Sequence, residues 1–282
     1  VNVLSKSVFK SVESRENFRA AYNGILSRFP FEQTTVETGY GQTFLLHAGA
    51  EDGPPVILLH GSCSNSAFMT PELAALSARF SVYAADIVGE AGNSADIRPE
   101  LHSDGFALWL RDVLDALWIK SAVLAGSSLG GWISLKFAVT FPERVSSLIL
   151  ISPAGLAGQK NEIVEKALRA KEQSETMSVD AAVTGGQALP KEVEAFMNLI
   201  LMSYDPVTEI LPVFTDEELS RLTMPILFVG GENDVMLDAP GAARRLEALL
   251  PHADVRLLPN AGHMILNAPD YILPFLQKDG KR

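Results

Sequence analysis

Ala122-Val123-Leu124-Ala125 runs directly into Gly126-Ser127-Ser128-Leu129-Gly130-Gly131. The first four residues are apolar without alternation, which suits a strand buried on both faces. A helix is expected from about Leu129. A serine flanked by glycines in the pattern G-x-S-x-G carries meaning only in this strand–turn–helix setting. The requirement is steric: a nucleophile must project from a very tight turn, and glycines let neighbouring backbone pass close to it. At the start of a helix, the backbone N–H of Leu129 can face a developing oxyanion, and the helix dipole favours negative charge there. The plain alternative is a glycine-rich helix start that binds nothing. A phosphate loop is a weaker rival, because no G-x-x-x-x-G-K-[ST] is present.

The pattern repeats on both sides of this stretch. Strands are expected at 34–38 and 42–47, split by Gly39-Tyr40-Gly41 as a hairpin. Others are expected at 56–59, 81–86, 147–151, 226–229 and 254–258. Helices are expected near 104–118, 240–250 and 268–277. Thr70-Pro71-Glu72 reads as a capped helix start with proline at its first position. Pro274 should kink or divide the last helix. Alternating apolar strands and helices predict an α/β fold: a mostly parallel sheet with helices on both faces.

Two segments stand outside this alternation. Residues 16–29 place Phe18, Ala21, Tyr22, Ile25, Leu26 and Phe29 on one helical face. Packing on the domain body is the expectation; a homodimer contact or a membrane-surface face is the alternative. Between 156 and 222 no strand is legible. Residues 161–173 and 190–204 read as helical, the second with a stripe of Val193, Phe196, Met197, Ile200 and Leu201. Thr215-x-x-Glu218 reads as a capping box. The expected division is a core of 1–155 and 223–282, with an N-terminal helical extension over 1–30 and a helical cap over 156–222. The insertion carries 6 basic and 12 acidic side chains. That is a solvated outer face, or a lid that disfavours anionic substrates. The apolar stripe is expected to pack rather than to line a cleft, and core packing is likewise expected of Trp132.

Serine needs a base to take its proton. Of His47, His60, His102, His252 and His263, the last lies in Asn260-Ala261-Gly262-His263, between the last strand and the last helix. His60 ends the third strand and suits a structural hydrogen bond. His47 lies in the hairpin, and His102 and His252 lie in polar segments. The base needs a buried carboxylate to hold its tautomer. Asp234 follows the strand at 226–229, at the carboxyl edge where ligands gather in open α/β sheets; Glu232 is the rival and Asp238 a more distant one. A second oxyanion donor is expected from the backbone N–H of Ser62, in the loop His60-Gly61-Ser62-Cys63. Cys63 lacks an elbow around it and is not expected to be a nucleophile.

Composition bounds the remaining possibilities. Lys and Arg number 23 against 34 Asp and Glu, for a net charge of −11 over 282 residues. This balance argues against nucleic acid as a partner and against docking on anionic lipid. No apolar run approaches the length of a membrane span. One cysteine excludes an internal disulfide and Cys-based metal sites. A reducing, cytoplasmic setting fits this, as does the lack of a continuous apolar stretch in residues 1–18.

With these motifs in order, residues 34–278 resemble the α/β-hydrolase superfamily. The resemblance rests on His60-Gly61, the elbow at Gly126–Gly131, Phe141-Pro142-Glu143-Arg144-Val145, Gly231–Asp234 and Gly262-His263. Asp86 to Ser94 is similar to the family's D-x-x-G-x-G-x-S loop, with one extra residue before the second glycine. The resemblance implies an eight-stranded sheet, a helical cap after the sixth strand, a cleft between cap and core, and a structural rather than catalytic Asp86. It implies a triad of Ser128, Asp234 and His263, the Ser–Asp–His order of the fold. Serine at the elbow disfavours dehalogenase and epoxide hydrolase chemistry, which use Asp there. The leading expectation is hydrolysis of small or medium carboxylic esters with an apolar portion, without metal or organic cofactor. Thioesterase, carbon–carbon bond hydrolase and cofactor-free perhydrolase remain alternatives, and so does a non-catalytic ligand-binding protein.

Overall fold

The computed structural model describes residues 7–160 and 181–279. One eight-stranded sheet contains β1 (Glu32–Thr38), β2 (Gly41–Ala48), β3 (Pro55–Leu59), β4 (Ser81–Ala85), β5 (Ala122–Ser127), β6 (Val145–Ile151), β7 (Ile226–Gly231) and β8 (Asp254–Leu258). Their spatial order is β1-β2-β4-β3-β5-β6-β7-β8. The β1–β2 and β2–β4 pairs are antiparallel, and all the others are parallel.

The helices described are α1 (Val12–Leu26), α2 (Thr70–Leu76), α3 (Gly105–Ala116), α4 (Leu129–Thr140), α5 (Lys191–Ser203), α6 (Asp216–Leu219), α7 (Ala239–Leu249) and α8 (Pro269–Asp279). Alternate strand residues feed two separate cores. Ile57, Leu59, Leu124, Leu148 and Leu150 pack with Trp109 of α3, Ile133 of α4 and Leu246 of α7. Val56, Leu58, Val123, Ile149 and Ile151 pack on the other face with Tyr22 of α1, Leu73 of α2, Ile200 of α5 and Ile272 of α8. Because both faces are covered, the central strands carry apolar residues at every position rather than every second one.

The N-terminal helix begins earlier and ends sooner than the expected 16–29. Ser11 caps it by accepting from Ser14 N–H at 3.0 Å, and Leu26 is its last residue. Residues 13–17 are all polar, so apolar periodicity starts only at Phe18. Phe18, Tyr22 and Leu26 are buried. Phe18 and Tyr22 stack on Phe196 of α5, at ring-centroid distances of 6.0 and 5.9 Å. Phe196 and Ile200 of the α5 stripe are buried, Phe196 against the N-terminal helix and Phe68, while Val193, Met197 and Leu201 are half-buried. The same segment pairs further along: Lys10 N–H donates to Ser203 O, and Asp205 N–H donates to Val8 O.

Thr215 and Glu218 form the expected capping box at the start of α6. Thr70 does not cap α2. The chain enters α2 directly from a 3₁₀ turn, Ser66–Met69, and the Thr70 hydroxyl donates back to Ala67 O. α8 is not divided at Pro274 but runs through it. Pro274 stands one turn after Asp270, so its missing N–H removes only one early helical bond. The expected helix over 161–173 lies outside the described residues.

One buried group destabilises this packing. Glu72 lies in the first turn of α2, and its Oε2 has no hydrogen-bond partner among the described residues. Burial raises its carboxyl from 4.5 to about 7. A carboxyl raised in the folded state is a burden only where the unfolded chain would be ionised. The penalty is therefore absent below pH 4.5 and grows as pH rises towards 7. At full extent it is on the order of 3 kcal/mol. Glu72→Gln is expected to raise the melting temperature by several degrees at pH 8 and to change it little at pH 4, as measured by thermal unfolding at both pH values.

Candidate active site

Ser128 occupies a turn that only its surroundings can enforce. Its φ of 51° and ψ of −110° lie in a region costly for a side-chain-bearing residue. The turn is fastened by Ser128 N–H to Ile151 O at 3.0 Å and by Trp132 N–H to Ser128 O at 3.0 Å. The flanking glycines are required by close approach. A Cβ on Gly126 would stand 2.2 Å from Gly130 O, and one on Gly130 would stand 2.2 Å from Leu59 O. Strand β5, helix α4 and the end of β3 thus meet without side chains between them, and the Ser128 hydroxyl is left projecting at the carboxyl edge of the sheet.

His263 and Asp234 complete the cluster from distant parts of the chain. His263 Nδ1–H donates to Asp234 Oδ2 at 2.8 Å. Its Nε2 then accepts from the Ser128 hydroxyl at 3.1 Å. Asp234 is 1% exposed, and its other oxygen accepts from Met236 N–H at 2.8 Å and Leu237 N–H at 2.9 Å. Burial pushes this carboxyl up, but the His263 hydrogen bond and charge and the two backbone N–H groups outweigh it and hold the carboxyl below its ordinary value. Asp234 is thereby kept ionised beside an imidazole that gains charge when it takes a proton. A Cβ on Gly231 would stand 2.1 Å from Gly262 O, so only glycine lets the acid and histidine loops cross this closely.

The rival residues serve elsewhere. Glu232 is exposed, and Asp238 caps α7 by accepting from Gly241 N–H at 3.0 Å. His60 is buried between Gly61 O at 2.7 Å and Ile87 N–H at 3.0 Å. Burial lowers its pKa against the opposing charge of Asp86. His47 contacts Glu32 and Ser81, while His102 and His252 are exposed. Trp132 is buried edge-on to Phe106, with Nε1 donating to Pro212 O. Asp86 accepts from Tyr22 O–H, Ser66 N–H and Asn93 N–H, which ties α1 and two loops together.

The loop after β3 passes over the elbow: a Cβ on Gly61 would lie 3.4 Å from Ser128 Cβ. Among the described residues the N–H groups of Ser62 and Leu129 have no hydrogen-bond partner. Ser62 Oγ lies 3.5 Å from Glu90 Oε2. Sequence reasoning missed Glu90, Tyr204 and Val183. Val183 O accepts from Met264 N–H at 2.9 Å and so braces the residue after His263. The signal for Tyr204 was present, four residues beyond Ile200 on the α5 stripe. Among the described residues no group of three or more His, Cys, Asp or Glu is placed to hold a metal ion.

An eight-stranded, mostly parallel sheet with a serine on a strained strand-to-helix turn defines a class of hydrolase scaffold. A family model described as the alpha/beta hydrolase fold matches residues 54–267, and the chain belongs to this family. It is 33% identical over 276 residues to the carboxylesterase YbfK of Bacillus subtilis (strain 168), covering 94% of this chain and 93% of that protein. The crystal structure of carboxylesterase CesB (YbfK) from Bacillus subtilis superposes with a TM-score of 0.82 at 32% identity, covering 94% of this chain and 99% of that one. The crystal structure of naproxen esterase (carboxylesterase NP) from the same organism gives a TM-score of 0.81 at 29% identity, covering 95% and 99%.

Proposed function

We propose that this α/β hydrolase cleaves carboxylic esters through an acyl-enzyme on Ser128. The observation that carries the proposal is the continuous hydrogen-bonded line from Ser128 Oγ through His263 to Asp234, at 3.1 and 2.8 Å. In the proposed cycle, Ser128 Oγ attacks the acyl carbon while His263 Nε2 takes its proton. The N–H groups of Leu129 and Ser62 stabilise the resulting oxyanion. His263 returns the proton to the departing alcohol, then takes one from water as water attacks the acyl-enzyme, and hands it to Ser128 Oγ as the acid is released. Asp234 holds Nδ1–H and supports the imidazolium. Relatives that match along nearly the whole chain are named as carboxylesterases, which favours an ester over the other acyl substrates this machinery accepts.

The segment 156–222 is proposed as a cap over the cleft, with 1–155 and 223–282 as the core. Small or medium esters with an apolar acyl body are the first substrates to test, since a solved relative is called a naproxen esterase. The proposed setting is cytoplasmic, consistent with a single cysteine. No helix among the described residues is long and apolar enough to cross a membrane.

The test combines a fluorophosphonate probe with nitrophenyl esters of graded acyl length, acyl thioesters and a perhydrolysis assay. Labelling at Ser128 with ester turnover above the other activities is expected. Absence of labelling and turnover in folded protein would point to a ligand-binding scaffold. Faster thioester cleavage or perhydrolysis would move the substrate class while leaving the triad in place.

A further inference from the structure

The turn that carries Ser62 is held in an unfavourable shape. Cys63, next to it, has φ of 56°, a left-handed conformation that a side-chain-bearing residue adopts only under constraint. The constraint is visible. Cys63 N–H points at both Glu90 Oε2, at 3.1 Å, and the Tyr204 hydroxyl oxygen, at 3.0 Å. The Tyr204 hydroxyl in turn donates to the same Glu90 oxygen at 2.8 Å. These three groups come from the loops after β3 and β4 and from the chain leaving α5. Tyr204 is fully buried and Glu90 is 2% exposed.

We propose that Glu90 and Tyr204 are positioning residues, which hold the Gly61-Ser62-Cys63 turn so that Ser62 N–H faces the oxyanion formed at Ser128. This rests on the reading of Ser62 as an oxyanion donor. A buried carboxylate near a developing negative charge would be a poor choice if electrostatics alone mattered. Here Glu90 Oε2 accepts from Cys63 N–H and Tyr204 O–H, and Oε1 lies 3.5 Å from Arg98 Nη2. With the Ser62 hydroxyl 3.5 Å from Oε2, both carboxylate oxygens of Glu90 are engaged by protein donors. Burial, reinforced by the neighbouring Cys63 and Glu90 side chains, raises the Tyr204 hydroxyl well above its ordinary value, so it remains a donor across the working pH range. The backbone of Tyr204 is fixed independently, by a bridge to Phe9 and by Arg98 Nη2 donating to Asp205 O at 2.9 Å. A contact between α5 and the N-terminal segment thereby reaches the reaction centre.

Tyr204→Phe removes the shared hydroxyl and keeps the buried ring. In the folded variant, kcat on a nitrophenyl ester is expected to fall about tenfold or more, short of the loss from deleting an oxyanion donor outright. KM should stay within about twofold, because the turn acts on charge that develops only in the transition state. Inhibition by a trifluoromethyl ketone, whose adduct on Ser128 carries an oxyanion, should weaken by a factor similar to that in kcat. A merely structural role would not move kcat and this inhibitor together while sparing KM.

Unchanged kcat and inhibitor affinity would overturn the proposal. A raised KM with kcat retained would also overturn it, because Tyr204 would then act on substrate binding. If Tyr204→Phe does not fold, Glu90→Gln is read by the same three measurements and the same outcomes. Loss of wild-type ester turnover and Ser128 labelling is a different failure, which removes the underlying reading and not this step alone.

Discussion

Ser128→Ala is expected to lower ester turnover by about 10⁴-fold or more, leaving only what the oxyanion donors and substrate binding provide. The fold should survive. The Ser128 hydroxyl has His263 Nε2 as its hydrogen-bond partner, whereas the bonds that fasten the turn are made by its backbone. Alanine keeps the Cβ and enters the same φ of 51° without adding bulk. Steady-state kinetics, with circular dichroism to establish folding, measures this. A folded variant with wild-type turnover would remove Ser128 from the mechanism and leave the strained turn without a chemical purpose.

The second large effect is expected at the acid. Asp234→Asn should lower kcat by about 10³–10⁴-fold, while Glu232→Gln should stay within about twofold of wild type. Asparagine fits the space but offers an amide N–H₂ towards His263 Nδ1. Turning its oxygen there would point N–H₂ at the Met236 and Leu237 N–H groups, which now donate to Asp234 Oδ1. Either arrangement loses a bond; the amide facing Nδ1 forces that nitrogen to accept, moving its proton to Nε2. A protonated Nε2 cannot take the Ser128 proton. The opposite ranking of the two variants would transfer the acid role to Glu232.

The same substitution should be visible in stability. The Asp234 carboxyl, despite burial, is held below its ordinary value by His263 and two backbone donors. A carboxyl lowered in the folded state stabilises at pH values above its unfolded pKa and loses that contribution as pH falls through the folded one. Wild-type protein should therefore show a steeper loss of stability in acid than Asp234→Asn, as measured by urea unfolding across the acid range.

The elbow was legible because its demands are local. A buried strand, a turn too tight for side chains at Gly126 and Gly130, and a helix start all fall within a few consecutive residues. The two core faces were legible because two-sided burial leaves continuous apolar runs such as Val56-Ile57-Leu58-Leu59. Asp234 and His263 were legible by placement after strands. The first turn of α1 was not, since its polar residues carry no periodic signal. Thr70 looked like a cap because the preceding 3₁₀ turn, which already engages its hydroxyl, has no pattern of its own.

By itself, the sequence determined the alternation of strands and helices, the tight turn at Ser128 and the apolar faces that had to be covered. Tertiary structure alone decided what covers them: α1 lies on Phe196 of the α5 stripe, and Val183 braces the histidine loop. It also decided where Glu90 finds Cys63 and Tyr204, 27 and 114 residues away. The physical reason is that backbone conformation and hydrophobic periodicity are properties of neighbouring residues. The partner of a buried surface or a buried charge is chosen by three-dimensional packing, and no local pattern in the chain records that choice.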